Sequence, residues 1–376
     1  MTSVTDVLQL TRDLVRTNTV NPPGNEARAA ALVGARLESA GLEVDRHELG
    51  PGRESLVARW PGRGDGAALC LTAHLDTVPL GQAEWRHDPF AGELDGDRLF
   101  GRGATDMKGG LAALVVAAER VAALGRGDAG LELVLCAGEE TGCEGALALA
   151  GADGALGDAG ALLVAEPTSN YPCLAHKGVV WLDATTTGRT AHGSMPHLGE
   201  NAVHKLAAAI SKLEGYDFDV DPHELLGEPT LNVGTVSGGS NVNSVPDQAT
   251  AGIDVRLVPG LSGDDALERL SRLLGEEVHL AARVDLPHVA TDPGDAWVEE
   301  VFEVMGPLVG ERPEPRGLAY FTDASALAPA YGRPPTVICG PGDADQTHQT
   351  DESCSVSKLE SAAEGFFEIA RRWCRL

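Results

Sequence analysis

The sequence has few basic residues for its length. Its 376 residues include 29 lysines and arginines against 56 aspartates and glutamates, which gives a formal net charge of −27. A surface with this excess of negative charge repels nucleic-acid phosphates and anionic lipid headgroups. We therefore exclude nucleic acids and membranes as partners and interpret the charge as an aid to solubility.

The sequence also lacks an apolar run of membrane-spanning length and any paired cysteine motif. No basic stretch followed by an apolar one marks the first residues as a secretory leader. The seven cysteines include no Cys-x-x-Cys pair, and Cys70, Cys136 and Cys339 lie within or beside apolar runs. Buried free thiols in a reducing compartment explain this pattern better than disulfides or a thiolate zinc site, so we expect a cytoplasmic protein.

Strand and helix patterns alternate along the first third of the chain. Apolar runs near 55–60, 67–73 and 131–137 are typical of strands, and residues 110–123 of a helix. This alternation predicts an α/β fold with a mixed, mostly parallel sheet, in which ligands bind beyond the carboxyl ends of the strands. The last helix is predicted to begin at the capping box Ser357-x-x-Glu360.

The middle of the chain has a different pattern. Strand, helix, strand, strand, helix and strand signals follow one another after residue 178. That order is typical of a small ferredoxin-like α+β sandwich. We therefore predict one catalytic domain formed by residues 1–176 and 288–376, interrupted by an inserted domain of residues 177–287.

Side chains that commonly bind metals follow several of the apolar runs. They are His74 and Asp76 after residues 67–73, Asp106 in the glycine-rich loop 101–110, Glu139 and Glu140 after 131–137, Glu166 after 161–165, and His348 after 337–339. Residues two apart on a strand face the same side, so His74 and Asp76 can converge on one point. Imidazoles and carboxylates at strand ends indicate a site for one or two borderline-hard metal ions.

Each of these residues has a simpler explanation when it is considered alone. His74 and Asp76 occur at a spacing that is common by chance, Asp106 fits the N-cap of the helix that follows it, and Glu139-Glu140 fits a solvated acidic turn. Adjacent side chains on an extended segment diverge, so the two glutamates are expected to have different roles. If they lie close together, a cation must offset their repulsion. The metal hypothesis therefore depends on the combination.

The combination resembles a known family. The motifs are Ala73-His74-Leu75-Asp76-Thr77-Val78-Pro79, the loop Gly101 to Gly110, Glu139-Glu140-Thr141-Gly142, Glu166-Pro167-Thr168, Gly188-Arg189-Thr190-Ala191-His192-Gly193-Ser194, Asn243-Ser244-Val245-Pro246-Asp247, and Gly340-Pro341-Gly342 with His348. In this order, and over essentially the whole chain, they closely resemble the M20 family of metallopeptidases and deacylases. More narrowly, they are similar to the acetylornithine deacetylase and succinyl-diaminopimelate desuccinylase branch. The resemblance implies a zinc-peptidase catalytic domain with an inserted dimerisation (lid) domain.

The resemblance also implies two zinc ions per chain, with cobalt and manganese as substitutes that the same ligand types allow. The implied ligands are His74 and Glu166 for one ion and Glu140 and His348 for the other, with Asp106 shared between them. Asp76 would orient His74 without binding metal itself. The peptide bond that follows Asp106 would be cis.

Catalytic and substrate-binding roles follow from the same resemblance. Glu139 would be the general base, taking a proton from a water between the two ions and later protonating the leaving amine. His192 would stabilise the developing oxyanion from the neighbouring subunit of a homodimer formed through the inserted domain, although by itself it fits an exposed loop residue. Arg256 would bind the substrate carboxylate bidentately. The assisting groups would be Asn243, Lys177 and the backbone of Gly342.

Three functions are compatible with these patterns. The first is a dizinc amidohydrolase that removes an acetyl- or succinyl-type group from an N-acyl amino acid such as N-acetylornithine; Gly340-Pro341-Gly342 and the string from Gln346 to Glu352 favour the deacetylase side. The second is a dipeptidase or carboxypeptidase with the same site, because a free terminal carboxylate suits the same arginine. The third is a metal-free dimeric binding protein, against which the presence of every implied ligand argues.

Overall fold

The structure is a computed structural model that describes residues 4–376. Within that range the chain forms nine α-helices, numbered α1 to α9 in chain order. Their bounds are Val4–Arg16, Glu26–Ser39, Gly109–Ala123, Glu144–Gly151, Ala202–Leu213, Gly263–Leu274, Ala296–Val309, Ala324–Ala330 and Val356–Trp373. None of these helices in residues 4–376 combines the length and the apolar character that a bilayer crossing requires.

Sixteen strands, β1 to β16, occur in the same described range. Their bounds are Glu43–Gly50, Arg53–Trp60, Gly66–His74, Glu93–Asp95, Arg98–Phe100, Ala129–Cys136, Ala159–Val164, Ala175–His176, Gly178–Thr187, Thr230–Gly238, Gln248–Leu257, Val278–Leu286, Val289–Ala290, Gly317–Leu318, Thr336–Ile338 and Ser353–Ser355. The strands near 55–60, 67–73 and 131–137 and the helix near 110–123 therefore lie where the sequence predicts them.

The chain divides into two compact units. The first comprises the residues up to Ala175 together with Val289–Arg316 and Thr322–Leu376, and the second comprises His176–His288 and Gly317–Phe321. The second unit thus includes a short segment, 317–321, that no sequence pattern assigned to it. The labels given to the two parts, catalytic and dimerising, stay predictions.

A six-stranded mixed sheet with the order β1-β2-β6-β3-β7-β15 forms the centre of the first unit. The four strands β6, β3, β7 and β15 are parallel, whereas β2 pairs antiparallel with β6 and β1 antiparallel with β2. The parallel strands are buried and apolar over most of their length, and the buried helix α3 packs against β3, α1 and α9. The predicted α/β fold with a mostly parallel sheet is confirmed.

The parallel strands all end at the same edge of this sheet, which is where α/β folds bind ligands. His74 is the last residue of β3, and Glu139 follows the end of β6 by three residues. Glu166 follows the end of β7 by two residues, and Gly340 stands two residues beyond β15. The fold therefore brings segments that are far apart in sequence to one edge.

The second unit contains a four-stranded antiparallel sheet with the order β10-β11-β9-β12. The chain order β9-α5-β10-β11-α6-β12 and this strand order together define a ferredoxin-like sandwich, as predicted. Alternate residues such as Leu182 and Ile253 are buried with Leu206 of α5 and Leu270 of α6 in one apolar cluster. The strand period of two leaves polar side chains on the opposite face of the sheet.

The last helix begins at a different residue from the one predicted. The hydroxyl of Ser355 accepts a hydrogen bond from the backbone N–H of Lys358 at 3.2 Å and caps α9. The backbone N–H and hydroxyl of Ser357 instead donate to Asp97 at 2.9 and 3.0 Å. The predicted capping box at Ser357 is therefore wrong, because Asp97, which is distant in sequence, binds that serine.

Candidate metal centre

His74 lies at the carboxyl end of β3 with only 1% of its side chain exposed. Its Nδ1 lies 3.0 Å from the backbone carbonyl oxygen of Asp76. A carbonyl oxygen can only accept, so this hydrogen bond requires that Nδ1 carries a proton. The other ring nitrogen, Nε2, is then the atom that faces the neighbouring carboxylates, which is the arrangement of a metal-binding histidine.

Asp106 lies in an irregular turn, Ala104–Lys108, just before α3. The peptide bond between Asp106 and Met107 is cis, as the family resemblance implied. Its Oδ1 lies 3.1 Å from Nε2 of His74, and its Oδ2 lies 3.4 Å from Nε2 of His348. Each oxygen of this carboxylate thus faces a different imidazole, which is the geometry expected of a ligand shared by two ions.

Glu140 and Glu166 lie on opposite sides of Asp106. Oε2 of Glu140 is 3.2 Å from Nε2 of His348, and Oε1 of Glu166 is 3.9 Å from Nε2 of His74. Both glutamate side chains are more than nine-tenths buried, whereas 54% of the His348 side chain is exposed. The structure therefore brings all five predicted ligands together, in two groups that meet at Asp106.

Burial and close contact between the carboxylates and imidazoles of this cluster shift their pKa values. Burial raises the pKa of Glu166 well above its usual value, and burial together with the charge of Asp106 raises the pKa of Glu140. Hydrogen bonds to Asp106 and Glu140 raise the pKa of His348 to about 10. Burial alone would lower the pKa of His74, but the hydrogen bond to Asp106 and the nearby carboxylate charges raise it well above its usual value.

These residues fit a metal site by their chemistry and by their contacts. Oε1 of Glu140 is buried and has no hydrogen-bond partner among the described residues. One ligand atom each from His74, Asp106 and Glu140 lie within 4.8 Å of one another. Imidazole nitrogens and carboxylate oxygens suit zinc and related divalent ions, and such an ion would balance the carboxylate charge and give the unpaired oxygen a partner.

Comparisons with known proteins identify the family. Residues 70–372 match the model of peptidase family M20/M25/M40. The chain belongs to this family. It is 32% identical to a probable succinyl-diaminopimelate desuccinylase of Staphylococcus epidermidis over 92% of each chain, and 28% identical to an acetylornithine deacetylase of Vibrio vulnificus over 98% of each chain.

Among solved structures, a metallo-carboxypeptidase of Sulfolobus solfataricus matches with a TM-score of 0.81. The identity is 18%, with 99% of this chain and 100% of the other covered, so the likeness shows the fold alone. As a member of the M20 family, the chain is a metal-dependent hydrolase of amide or peptide bonds.

Asp76 of this M20 chain makes different contacts from those predicted. Its carboxylate lies 3.7 Å from Nδ1 of His74, beyond hydrogen-bond distance, and accepts instead from the loop after β6. The donors are the backbone N–H groups of Gly138 (3.0 Å), Glu139 (3.1 Å) and Glu140 (3.3 Å) and the side-chain amide of Asn21 (2.9 Å). Asp76 therefore orients His74 through its backbone carbonyl, and its carboxylate fixes the loop that carries both glutamates.

Glu139 is buried beside the predicted ligands. Burial and the charge of Glu166 raise its pKa well above the usual glutamate value, although His74 opposes that rise. A carboxylate with raised proton affinity next to a metal site suits a group that takes up and returns a proton. Glu140 contacts His348 at 3.2 Å, whereas the pKa of Glu139 responds to the charges of His74, Glu166 and Glu140. The different roles of the two adjacent glutamates stay a prediction.

The predicted residues of the second unit form two neighbouring pairs. His192 is exposed, and its Nδ1 lies 2.8 Å from the hydroxyl of Ser194. The backbone carbonyl of the exposed Asn243 accepts from Gly193 N–H at 2.7 Å, so the loops that carry His192 and Asn243 are adjacent.

The other pair consists of Arg256 and Lys177. Nε and Nη2 of Arg256 donate to the carboxylate of Asp254 at 2.8 and 3.0 Å. Lys177 donates to the carbonyl of Glu228 at 2.6 Å, and burial together with the charge of Arg256 lowers its pKa. Two of the three guanidinium nitrogens of Arg256 are thus already engaged, which the sequence did not predict.

Gly342 of the first unit lies where a side chain would not fit. A Cβ at this position would lie 2.4 Å from the carbonyl oxygen of Thr105 and 2.7 Å from Cβ of Pro167. Its own carbonyl accepts from Ser169 N–H at 2.7 Å. The glycine therefore allows three loops around the metal centre to pack closely, whether or not it also contacts substrate.

Sequence reasoning missed two buried carboxylates near this centre. Asp323 lies beside the thiols of Cys136 and Cys143, and burial raises its pKa to about 7. Glu352 binds the loop that carries Asp106. A signal existed for each, since Thr322-Asp323 precedes a helix and Glu352 ends the string that contains His348, but neither signal indicated burial.

Metal binding to the metal-free protein should release protons. Since the pKa of His348 is raised to about 10, its imidazole is protonated at pH 7, and because metal ligation needs a neutral imidazole, zinc should displace at least about one proton per chain. Calorimetric titrations in buffers of different ionisation enthalpy would measure this number, and the affinity should fall as the pH falls.

The replacement His348→Gln should lower the number of released protons by about one, because it removes the imidazole that is protonated in the metal-free protein. The matched change His204→Gln, at an exposed position of α5, should leave the count unchanged. Wild-type heats that do not depend on the buffer would contradict the assignment of His348 as a ligand.

Proposed function

We propose that the chain is a dizinc amidohydrolase that removes an acyl group from an N-acyl amino acid with a free carboxylate. The observation that carries this proposal is the five-residue cluster centred on Asp106, with the buried Glu139 beside it and outside the ligand set. In the proposed arrangement, His74 and Glu166 hold one ion, Glu140 and His348 hold the other, and Asp106 is shared. Cobalt or manganese would fit the same donors.

Bound ions would supply Lewis acidity toward the amide carbonyl and would lower the pKa of the attacking water molecule. Glu139 would accept one proton from that water as the water oxygen forms a bond to the amide carbon. The carbon–nitrogen bond then breaks, and Glu139 returns the proton to the leaving nitrogen. Its raised pKa favours both steps, because a carboxylate of ordinary pKa would take up a proton from water less readily.

We further propose that His192 completes the site of a neighbouring chain in a homodimer formed through the second unit. The contact between Nδ1 of His192 and Ser194 leaves Nε2 available to donate to the developing oxyanion. Strand β10 lies at one edge of the second unit's sheet, and on it the apolar Val236 is 62% exposed. An exposed sheet edge with apolar side chains suits pairing with a second copy.

The substrate carboxylate is proposed to bind Arg256, with Lys177, Asn243 and Gly342 assisting. The charge of Arg256 is already partly balanced by Asp254, so the nearby Lys177 supplies the additional positive charge that a carboxylate needs.

We also propose a cytoplasmic location. All seven cysteines are buried and unpaired, as predicted, which supports a location in a reducing compartment.

Three candidate activities can be compared: a deacylase, a peptidase and a metal-free binding protein. The desuccinylase and deacetylase names belong to relatives near 30% identity over nearly the whole chain, which favours a deacylase. A dipeptidase or carboxypeptidase is the second candidate, because a peptide substrate presents the same amide and the same terminal carboxylate. A metal-free binding protein is disfavoured, because it would have to keep several buried carboxylates without a cation.

The replacement Glu139→Gln should lower kcat at least about 100-fold while both metals remain bound, because it removes the proton acceptor and not a ligand. The neighbouring replacement Glu140→Gln should lower metal content, because it removes a ligand. Steady-state kinetics and elemental analysis of both variants separate the two roles. Loss of metal from the Glu139 variant would show that the roles of the two glutamates are exchanged.

A substrate panel would test the proposed reaction class. N-acetylornithine, N-succinyl-diaminopimelate, other acetylated amino acids and dipeptides should be compared by kcat/KM, and an N-acyl amino acid should exceed every dipeptide. Replacing the carboxylate of the best substrate by a carboxamide should lower kcat/KM by about 10- to 100-fold, since a charge-assisted pair is lost. Turnover of dipeptides alone would contradict the deacylase assignment.

The change Arg256→Met extends that comparison. If Arg256 binds the carboxylate, this variant should lose most of the preference for the acid over the carboxamide, because the group that distinguishes them is gone. A variant that keeps the full preference would exclude Arg256 as the anchor and leave Lys177 as the candidate.

Mixing two inactive variants would test whether His192 acts on the neighbouring chain. A dimer of one His192→Ala chain and one Glu139→Gln chain contains one intact site if His192 acts across the interface and none if it acts within its own chain. Random mixing should then restore about a quarter of the wild-type activity per chain. No restoration, with mixed dimers verified by mass spectrometry, would contradict the shared site.

A further inference from the structure

Glu352 is a fully buried carboxylate that no step of the proposed reaction uses. Its side chain is 0% exposed and lies four residues after His348. Four donors surround it in the loop before α3. They are the backbone N–H groups of Gly103 (3.0 Å), Thr105 (2.9 Å) and Asp106 (3.1 Å) and Nη1 of Arg102 (2.7 Å). Both oxygens are therefore fully engaged.

These contacts define the path of the loop that carries Asp106. Oε1 accepts from two consecutive backbone N–H groups, those of Thr105 and Asp106, and Oε2 accepts from Gly103 and Arg102. A carboxylate bound to several backbone donors in a dry site holds them at fixed distances, because each bond is strong there and water cannot replace it. Glu352 thus fixes the backbone of a proposed metal ligand directly.

The two segments are also joined on either side of this carboxylate. The N–H of Gly101 donates to the carbonyl of Glu352 at 2.9 Å, and the hydroxyl of Thr105 donates to the carbonyl of Ser353 at 2.8 Å. The strand β16, which begins at Ser353, pairs antiparallel with β5, which ends at Phe100. The loop of Asp106 and the segment after His348 therefore form one hydrogen-bonded unit.

We propose that Glu352 is a positioning residue that fixes the separation of Asp106 and His348 and thereby the geometry of the metal ion they share with Glu140. This inference rests on the proposed two-metal site. Glu352 would do for the Asp106 loop what Asp76 does for the loop of Glu139 and Glu140, since each is a buried carboxylate that collects consecutive backbone N–H groups. The ion at His74 and Glu166 depends less on Glu352.

The variant Glu352→Gln tests this role, because it keeps the shape and removes the charge and one acceptor oxygen. Cobalt should be added stepwise while calorimetry and the visible spectrum of the bound cobalt monitor its binding. The substitution should change the affinities of the two ions unequally. The affinity for one ion should fall by about 10- to 100-fold, the size expected when a group that orients ligands is lost, and the other should change less. The cobalt spectrum of the weakened site should change, and excess metal should partly restore kcat.

Glu132→Gln is a matched control in the same unit. Glu132 is also a buried carboxylate. It accepts hydrogen bonds from Arg59 at 2.6 Å and from the backbone N–H of Gly157 at 3.0 Å, and the loop that contains Gly157 carries no proposed ligand. The control should lower the melting temperature without changing either metal affinity or the cobalt spectrum. If Glu352→Gln fails to fold, Arg102→Met removes one donor only and should weaken the same ion by a smaller factor.

Two outcomes would overturn the proposal. Wild-type affinities and an unchanged cobalt spectrum in a folded Glu352→Gln variant would do so, and so would an equal effect of Glu132→Gln on the metals. Failure of the wild-type protein to bind two ions would instead overturn the proposed function on which this inference rests.

Discussion

The repulsion among carboxylates buried at one edge of the parallel sheet is the constraint on which the rest of the centre depends. Asp106, Glu139, Glu140 and Glu166 all lie there, and burial raises the pKa of the three glutamates. An uncompensated buried charge is strongly destabilising, so a chain that keeps these groups together must balance them. Two imidazoles supply part of that balance.

Asp106 is the carboxylate that the two histidines compensate. His74 and His348 contact Asp106 and hold its pKa below the usual range, although burial acts in the opposite direction. The balance is incomplete at Glu140, where one buried oxygen has no partner within residues 4–376. A divalent cation at this position would remove that remaining imbalance.

The central strands and the residues at their ends could be predicted from the sequence, because local sequence patterns indicate them. Apolar runs bounded by glycines located β2, β3 and β6, and the residues just after such runs are, by the geometry of parallel sheets, at the ligand-binding edge. Strand-end geometry placed His74, Glu139 and Glu166 at this edge, whereas the ligand set that adds Asp106, Glu140 and His348 followed from the family resemblance. The structure brings these residues together.

The remainder could not be predicted, because it depends on contacts between distant segments. Ser355 caps α9 because Asp97, from a strand pair that no pattern indicated, binds Ser357. The carboxylate of Asp76 has donors on a loop more than 60 residues away, and that of Glu352 has donors nearly 250 residues away. A sequence shows which carboxylates exist, whereas only the fold shows which backbone groups they bind.

The unequal exposure of the two histidines has a kinetic consequence. His74 is enclosed by the sheet, whereas more than half of the His348 side chain is in contact with water and its backbone adopts a left-handed φ of 60°. In the proposed arrangement, release of the ion at His348 would begin with rotation of an exposed ring, and Glu140 and Asp106 would then have to let go of it. Release of the ion at His74 would begin with the movement of a buried ring, so the ion on the His348 side should exchange faster.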